Sequence, residues 1–151
     1  MSPIQQQQVF LSISVWLTGY DEVQLQGTGM QETYFATITQ ESTAENLQLF
    51  LAEAAFILAS GEGDEAKTNA LIADRLMPSS SYDNLAQNII YMWYSGQWEP
   101  TVSASNANLQ EVRNISPNAY IQGLMWDAAQ THPPGAKQPG YGSWATLPLR
   151  E

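Results

Sequence analysis

Apolar residues recur every three or four positions along most of the chain, the spacing that places them on one face of an α-helix. The first such stripe is Val9, Ile13, Trp16 and Leu17, and it ends before Gly19, a residue suited to a helix C-cap. Alternating runs never exceed four or five residues, so the pattern predicts an all-α fold. The other stripes that predict helices are Met30, Tyr34 and Ile38; Leu47, Phe50, Leu51, Ala54 and Leu58; Leu71, Ile72 and Leu76; Leu85, Ile89 and Trp93; and Tyr120, Leu124 and Met125.

Capping residues set the predicted helix boundaries. The run Ser42-Thr43-Ala44-Glu45 has the spacing of a capping box, in which Ser42 opens a helix. We expect loops over Tyr20–Gly29 and over residues 97–116, with one turn of helix near Leu109–Val112. The remaining predicted boundaries are Asp64 and either Ser80 or Ser81 as N-caps, Gly61, Gly63 and Gly96 as helix ends, Pro78 as a stop, and Ser116-Pro117 as the start of the last helix.

The last 21 residues differ from the rest in composition, because they are rich in proline, glycine and aromatic residues. Four prolines exclude a helix there. We therefore predict one domain over residues 1–151, with a compact bundle of about six helices in residues 1–130 and an extended arm in residues 131–151. Rigid aromatic side chains on an irregular segment are typical interface anchors, which favours a partner for Tyr141 and Trp144. The arm's prolines are Pro133, Pro134, Pro139 and Pro148.

The composition favours a surface that is weakly charged. Charged residues make up 13% of the chain, about half the usual share of roughly 25%. Interface cores lose Lys, Glu and Asp and gain Tyr, Trp and Met, so a permanent subunit interface is one interpretation. An exported monomer with a neutral surface is the other. The net charge of −10 argues against nucleic acid and against an anionic membrane surface as partners.

Cysteine content and hydropathy exclude further classes of protein and site. There is no cysteine, which excludes a disulfide framework, a thiolate metal site and a Cys nucleophile. The sequence contains no run of about 18 apolar residues, so it predicts no membrane span. The N-terminal residues 1–8 lack a basic region and an apolar region, so we expect no signal peptide within this sequence. Either a natural signal lies outside it or the chain has none.

Residues suited to catalysis do not form a recognisable constellation. His132 is the single histidine and has no paired ligand motif, so we expect a solvent-exposed turn residue. Asp64 and Glu65 are explained by the macrodipole at a helix start, and Glu53 by a solvated helix position. Gly27-Thr28-Gly29 matches no phosphate-binding loop. We therefore predict binding rather than chemistry, with no catalytic, cofactor-binding or metal-binding residues on this chain.

The aromatic residues are the remaining functional signal. Trp93 and Tyr94 are neighbours on a helix, about 100° apart around its axis, so they cannot point at the same spot. One is expected to enter the core, an interpretation that favours Trp93, and the other to face a neighbouring surface. Trp126 directly follows Met125, so these two side chains also cannot point at the same spot.

Several of these segments resemble the small (gamma) subunit of membrane-bound, flavin-dependent sugar and sugar-alcohol dehydrogenases. Trp93-Tyr94-Ser95-Gly96 closes a helix as in that family, and the stretch from Tyr120 to Met125 is similar to its aromatic, then Leu-Met, segment. The stretch from Pro134 to Trp144 is similar to its Pro- and Gly-rich end. Phe10 to Gly19 is similar to its first helix. The likeness covers about two thirds of the chain and is loose in the middle.

The resemblance implies a role without catalysis. In that family a large subunit holds FAD and oxidises the sugar or polyol, and a c-type cytochrome subunit passes the electrons on. The small subunit binds and stabilises the large one and assists its export to the periplasm through a twin-arginine signal. This chain departs from the pattern in three ways: it shows no signal, its 97–116 loop is long, and it lacks the family's occasional tail cysteine.

We accordingly expect a periplasmic accessory subunit that carries no cofactor and contacts an FAD-containing catalytic subunit. The alternative is a free-standing helical domain that binds a small sugar-like or apolar ligand in a pocket lined by Trp16, Trp93 or Trp126. The residues expected at the partner interface are Trp93, Tyr94, Tyr120, Met125, Trp126, Pro133, Pro134, Pro139, Tyr141 and Trp144.

Overall fold

A computed structural model describes residues 1–78, 81–99 and 113–129, and these adopt the predicted all-α fold. The short helices are α2 (Glu22–Gly27), α7 (Pro117–Gln122) and α8 (Leu124–Ala128), with a 3-10 turn at Ser81–Asn84. The predicted arm over residues 131–151 and the helical turn near Leu109–Val112 lie outside the described residues. The longer helices are α1 (Pro3–Thr18), α3 (Gln31–Glu41), α4 (Ala44–Ser60), α5 (Glu65–Arg75) and α6 (Leu85–Ser95).

The core forms where α1, α3 and α6 meet around Trp93. Its side chain is 0% exposed, and the indole Nε1 donates a hydrogen bond to Ser14 Oγ at 3.0 Å. The Tyr34 ring stands edge-on to the indole, with centroids 4.8 Å apart, and the Phe10 ring stacks beside it at 6.1 Å. Trp93 therefore belongs to the chain's own interior and offers no surface to a partner, so its place among the expected interface residues was wrong.

Helix α1 carries no charged side chain and is held at both ends by its caps. Ser2 and Gln5 form a reciprocal capping box, and Gly19 ends the helix at φ 81°. Of the predicted stripe, Ile13 is buried, whereas Val9, Trp16 and Leu17 are half-buried. The buried face of α1 is rotated slightly from the predicted stripe. Its buried residues are Phe10, Leu11, Ile13, Ser14 and Thr18.

The segment Tyr20–Gly29 was predicted as a loop, but it contains helix α2. Asp21 accepts from the Gln24 N–H at 2.7 Å, while Gln24 Oε1 accepts from the Asp21 N–H at 3.0 Å. This reciprocal capping box stabilises a helix that buries only Leu25. The hydrophobic pattern could not reveal it, because a single buried position has no period.

Helix α4 begins one residue later than predicted. Ser42 is extended and caps the end of α3, so Thr43 becomes the N-cap, and its hydroxyl accepts from the Asn46 N–H at 3.1 Å. Glu45 is then one position too early to complete a capping box. Gly61 ends this helix and the Asp64 carboxylate caps α5, both as predicted. Helix α5 ends at Arg75, before Pro78.

The start of α6 also differs from the prediction. The helix begins at Leu85 with Asn84 as N-cap, rather than after Ser80 or Ser81. Tyr82, Asp83 and Asn84 all have left-handed backbone angles, with φ of 53°, 55° and 66°, a conformation that costs about 1–2 kcal/mol per residue. Tertiary contacts offset this cost, because the Tyr82 ring packs on Phe50 at 5.7 Å and its carbonyl accepts from Asn46 Nδ2 at 3.0 Å.

Two very short strands bring the ends of the predicted 97–116 loop together. Strand β1 (Gln97–Trp98) pairs antiparallel with β2 (Arg113–Asn114), in the register Gln97 with Asn114 and Trp98 with Arg113. The Ile115 N–H extends the contact by donating to the Gly96 carbonyl at 2.9 Å. The chain then continues to Ser116, at the start of α7. The Ser116 side chain accepts a hydrogen bond from the Ala119 N–H and caps α7 as predicted.

The last predicted helix is divided at Gly123 into α7 and α8. Gly123 has an extended ψ of 134°, and a Cβ there would lie 2.6 Å from the Tyr94 carbonyl oxygen. Gly96, at φ 70°, has the backbone of Ala119 against it in the same way. Two glycines thus allow the α7–α8 segment to pack directly on the end of α6.

Replacement of Gly96 by alanine is expected to destabilise the protein more than replacement of Gly19. Both residues are helix C-caps with positive φ, of 70° and 81°, so each substitution carries about 1–2 kcal/mol of backbone strain. Nothing lies within 4 Å of a Cβ at Gly19, whereas one at Gly96 meets the Ala119 carbonyl, which adds about 1–3 kcal/mol. Urea unfolding of G96A and G19A measures the difference; equal losses would contradict the close packing of α7 on α6.

Candidate functional site

Four aromatic residues form a corner where α1, α6, α7 and α8 meet, and we call Tyr20, Tyr94, Tyr120 and Trp126 the aromatic corner. All four side chains are half-buried. Of the expected interface residues, Tyr94, Tyr120 and Trp126 belong to this corner, and the half-buried Met125 adjoins it in sequence. Pro133, Pro134, Pro139, Tyr141 and Trp144 lie outside the described residues.

Tyr94 joins the end of α6 to the end of α1. Its hydroxyl donates to the Thr18 carbonyl at 2.6 Å, and its ring meets the Tyr20 ring at 6.0 Å with an interplanar angle of 70°. A C-terminal helix carbonyl has no partner within its own helix, so the bond satisfies a group that would otherwise need water. Tyr94 thus fixes the position of Tyr20, which directly follows the Gly19 cap.

Trp126 holds α8 against α7. Its Nε1 donates to the Tyr120 carbonyl at 2.8 Å, and the two rings meet edge-on with centroids 5.4 Å apart. The neighbouring Asp127 Oδ2 accepts from the Tyr20 hydroxyl at 3.4 Å. The corner is therefore a connected set of contacts rather than four separate rings, and each half-buried ring keeps part of its surface outward.

A polar cleft opens beside the corner, between α2 and the α7–α8 segment. Its volume is about 240 Å³. Side chains with hydrogen-bonding groups dominate the lining, and among the described lining residues the acidic Asp127 carries the charge. The residues that define this polar cleft are Tyr20, Gln24, Thr28, Gln122, Gly123 and Asp127.

A second cavity, of about 440 Å³, lies where α1, α4 and the start of α5 meet. Trp16 and Leu58 supply apolar surface, and Glu62, Asp64 and Glu65 supply carboxylates. The Asp64 carboxylate already accepts from the Lys67 N–H at 2.9 Å. The pocket expected from the sequence was to be lined by Trp16, Trp93 or Trp126; of these only Trp16 lines either of the two cavities.

Exposed apolar side chains also lie on α4, a helix that contains none of the residues expected at an interface. Leu49 is 54% and Phe56 is 50% exposed, seven residues apart on the same helix face. Arg75 from α5 lies over the Phe56 ring at 5.1 Å and pairs with Glu53 at 3.3 Å. Glu53 is thus half-buried and paired rather than simply solvated, although such a surface pair contributes only about 0–1 kcal/mol.

The sequence interpretation missed Tyr20 and Asp127 as members of the site. Tyr20 had been assigned to a loop, and Asp127 belongs to no motif. Their hydrogen bond joins positions 107 residues apart in the chain. Only the packing of α7 and α8 on α6 brings them together, so no local pattern could have identified the pair.

Comparisons with known proteins leave the family open: no family model matches the sequence, and neither curated proteins nor solved structures include a significantly similar chain. The resemblance to the small dehydrogenase subunits therefore stays a prediction. Within residues 1–78, 81–99 and 113–129, no helix is both long and apolar enough to cross a bilayer.

Tyr34 contrasts with Tyr94 in how its hydroxyl is satisfied. Its side chain is 0% exposed, and its hydroxyl has no hydrogen-bond partner among the described residues. Burial raises the pKa of this phenol well above its ordinary value. An unsatisfied buried hydroxyl is destabilising, whereas the half-buried hydroxyl of Tyr94 has the Thr18 carbonyl as a partner.

We therefore expect opposite results from two tyrosine-to-phenylalanine variants. Y94F loses a hydrogen bond and should lower the free energy of unfolding by about 1 kcal/mol, whereas Y34F should leave it unchanged or raise it by up to about 1 kcal/mol. Chemical denaturation monitored by circular dichroism measures both. An equal loss in Y34F would mean that its hydroxyl has a partner in solution.

Comparison of Y34F with the wild type also tests the pKa of Tyr34. In the unfolded chain the phenol ionises near its ordinary pKa of 10.0, while the folded chain keeps its proton to higher pH. Stability should therefore fall as pH rises through about 10. Y34F should show a smaller fall than the wild type over this range, because it lacks the buried phenol. An equal fall in Y34F and the wild type would contradict the raised pKa of Tyr34.

Proposed function

We propose that this chain is a non-catalytic accessory subunit of a periplasmic, FAD-dependent sugar or sugar-alcohol dehydrogenase. In this role it binds and stabilises the catalytic subunit and assists its export. FAD belongs to that larger subunit, and a c-type cytochrome subunit would complete the electron path. The proposal extends the resemblance to the small dehydrogenase subunits, which the motifs around Trp93 to Gly96 and Tyr120 to Met125 carry within the described part of the chain.

The observation that best supports a partner is the aromatic corner. Tyr, Trp and Met are enriched at interface cores, and here Tyr94, Tyr120 and Trp126 are held in fixed positions while remaining half-buried. A side chain that is already immobile loses little conformational entropy on binding. The corner therefore has the properties of a preorganised contact surface.

The weak surface charge supports the same proposal. Charged residues are 13% of the chain, and α1 has no charged side chain over its sixteen residues. Desolvating amide and hydroxyl groups on association is less costly than desolvating ions. We propose that the aromatic corner and the segment from Pro133 to Pro148 pack together on the flavoprotein; that segment lies outside the described residues.

Co-purification from the native host tests the subunit role. The chain is tagged, isolated under mild conditions and examined for a large associated protein and for flavin absorbance. A yellow complex that oxidises a sugar or polyol with an added electron acceptor is the expected result. A colourless chain that elutes alone, from cells in which the tagged protein is folded, would refute the proposal.

Charge substitutions locate the interface. M125E places a carboxylate on α8 at an expected interface residue, one position before Trp126 of the aromatic corner. It should reduce the recovered flavin about tenfold, because an unpaired charge buried in an interface is strongly unfavourable. L49E is the matched control, since Leu49 is an exposed apolar residue on α4, 54% accessible. If L49E releases the flavoprotein while M125E retains it, the interface lies on α4 instead. Circular dichroism confirms that both variants are folded.

A further inference from the structure

We infer that the polar cleft is a binding site for a small, neutral, polyhydroxylated molecule such as a monosaccharide or a sugar alcohol. The cleft lies on this chain's own surface, and binding there does not require a flavoprotein partner. Three features of the cleft favour such a ligand: the fixed position of its walls, the chemistry of its lining and its size.

The walls are positioned by contacts outside the cleft. Tyr20 is held by the ring of Tyr94, whose hydroxyl is bonded to the Thr18 carbonyl at 2.6 Å. On the opposite wall, Gly123 lies against the Tyr94 carbonyl, so the same residue positions both sides. A site whose groups are already placed avoids much of the entropic cost of binding.

The lining combines donors and acceptors suited to hydroxyl groups. Gln24 Oε1 is engaged by the Asp21 N–H at 3.0 Å, which orients its Nε2 group as a donor. Gln122 supplies a second carboxamide. Asp127, whose Oδ2 already accepts from the Tyr20 hydroxyl at 3.4 Å, supplies a carboxylate that can accept more than one hydrogen bond. A hydroxyl group both donates and accepts, so adjacent hydroxyls of a polyol can pair with a carboxamide and a carboxylate together.

Charge and volume narrow the class of ligand. Among the described residues, those lining the cleft include Asp127 and no basic side chain, so an anion such as a phosphate or a sugar acid is disfavoured. The volume of about 240 Å³ is below the roughly 300–1,000 Å³ of sites for drug-sized ligands. A single sugar unit is small enough for a cleft of this volume.

Three probes of similar size and different charge test this assignment: neutral sorbitol, anionic gluconate and cationic glucamine. Saturation-transfer NMR and calorimetry with the full chain should detect sorbitol with a Kd on the order of 1 mM, a modest affinity for so few contacts. Gluconate should bind more weakly. If sorbitol shows no transfer, or if glucamine binds while sorbitol does not, the assignment is overturned.

Variants of the cleft residues test whether sorbitol binds in the cleft. Q122A removes a carboxamide and should weaken sorbitol binding about three- to tenfold. D127N keeps hydrogen-bonding capacity but removes the negative charge. It should therefore reduce the difference in affinity between gluconate and sorbitol. Q26A is the control, since Gln26 is exposed on α2 outside the cleft lining. Equal weakening by Q122A and Q26A would overturn the location, and neither result depends on recovery of a flavoprotein.

Discussion

The buried indole of Trp93 is the contact on which the rest of the fold depends. It is 0% exposed and joins its own helix α6 to two others, through the Ser14 hydroxyl of α1 and the Tyr34 ring of α3. An indole N–H is costly to bury without an acceptor, so Ser14 fixes the rotation of α1 relative to α6. That rotation in turn brings Thr18, at the end of α1, to the hydroxyl of Tyr94.

The aromatic corner and the polar cleft form because the α7–α8 segment packs closely on the backbone at the end of α6. Gly96 and Gly123 allow α7 and α8 to approach the end of α6 more closely than any residue with a Cβ would permit. The approach places Trp126 over Tyr120 and Asp127 beside Tyr20. The aromatic corner and the polar cleft are therefore two faces of one junction, one suited to an apolar contact and the other to hydroxyl groups.

The predicted helix boundaries were most accurate where a cap residue forms its hydrogen bonds with neighbouring residues in the chain. Gly19 and Gly96 as C-caps, and Asp64 and Ser116 as N-caps, were confirmed because each satisfies backbone groups within one turn. The prediction failed where packing prevailed over local preference, as in the left-handed turn before Asn84. Helix α2 was missed because a single buried leucine carries no periodic signal.

The sequence by itself determined the helical class, most helix boundaries and the presence of many aromatic residues near the ends of the last helices. It also indicated that one of Trp93 and Tyr94 would be internal, since neighbours on a helix diverge by about 100°. The structure confirmed the preference for Trp93 as the internal residue, and only the tertiary structure decided that Tyr94 meets Tyr20. That decision depends on contacts between residues more than seventy positions apart, and local patterns contain no information about such distances.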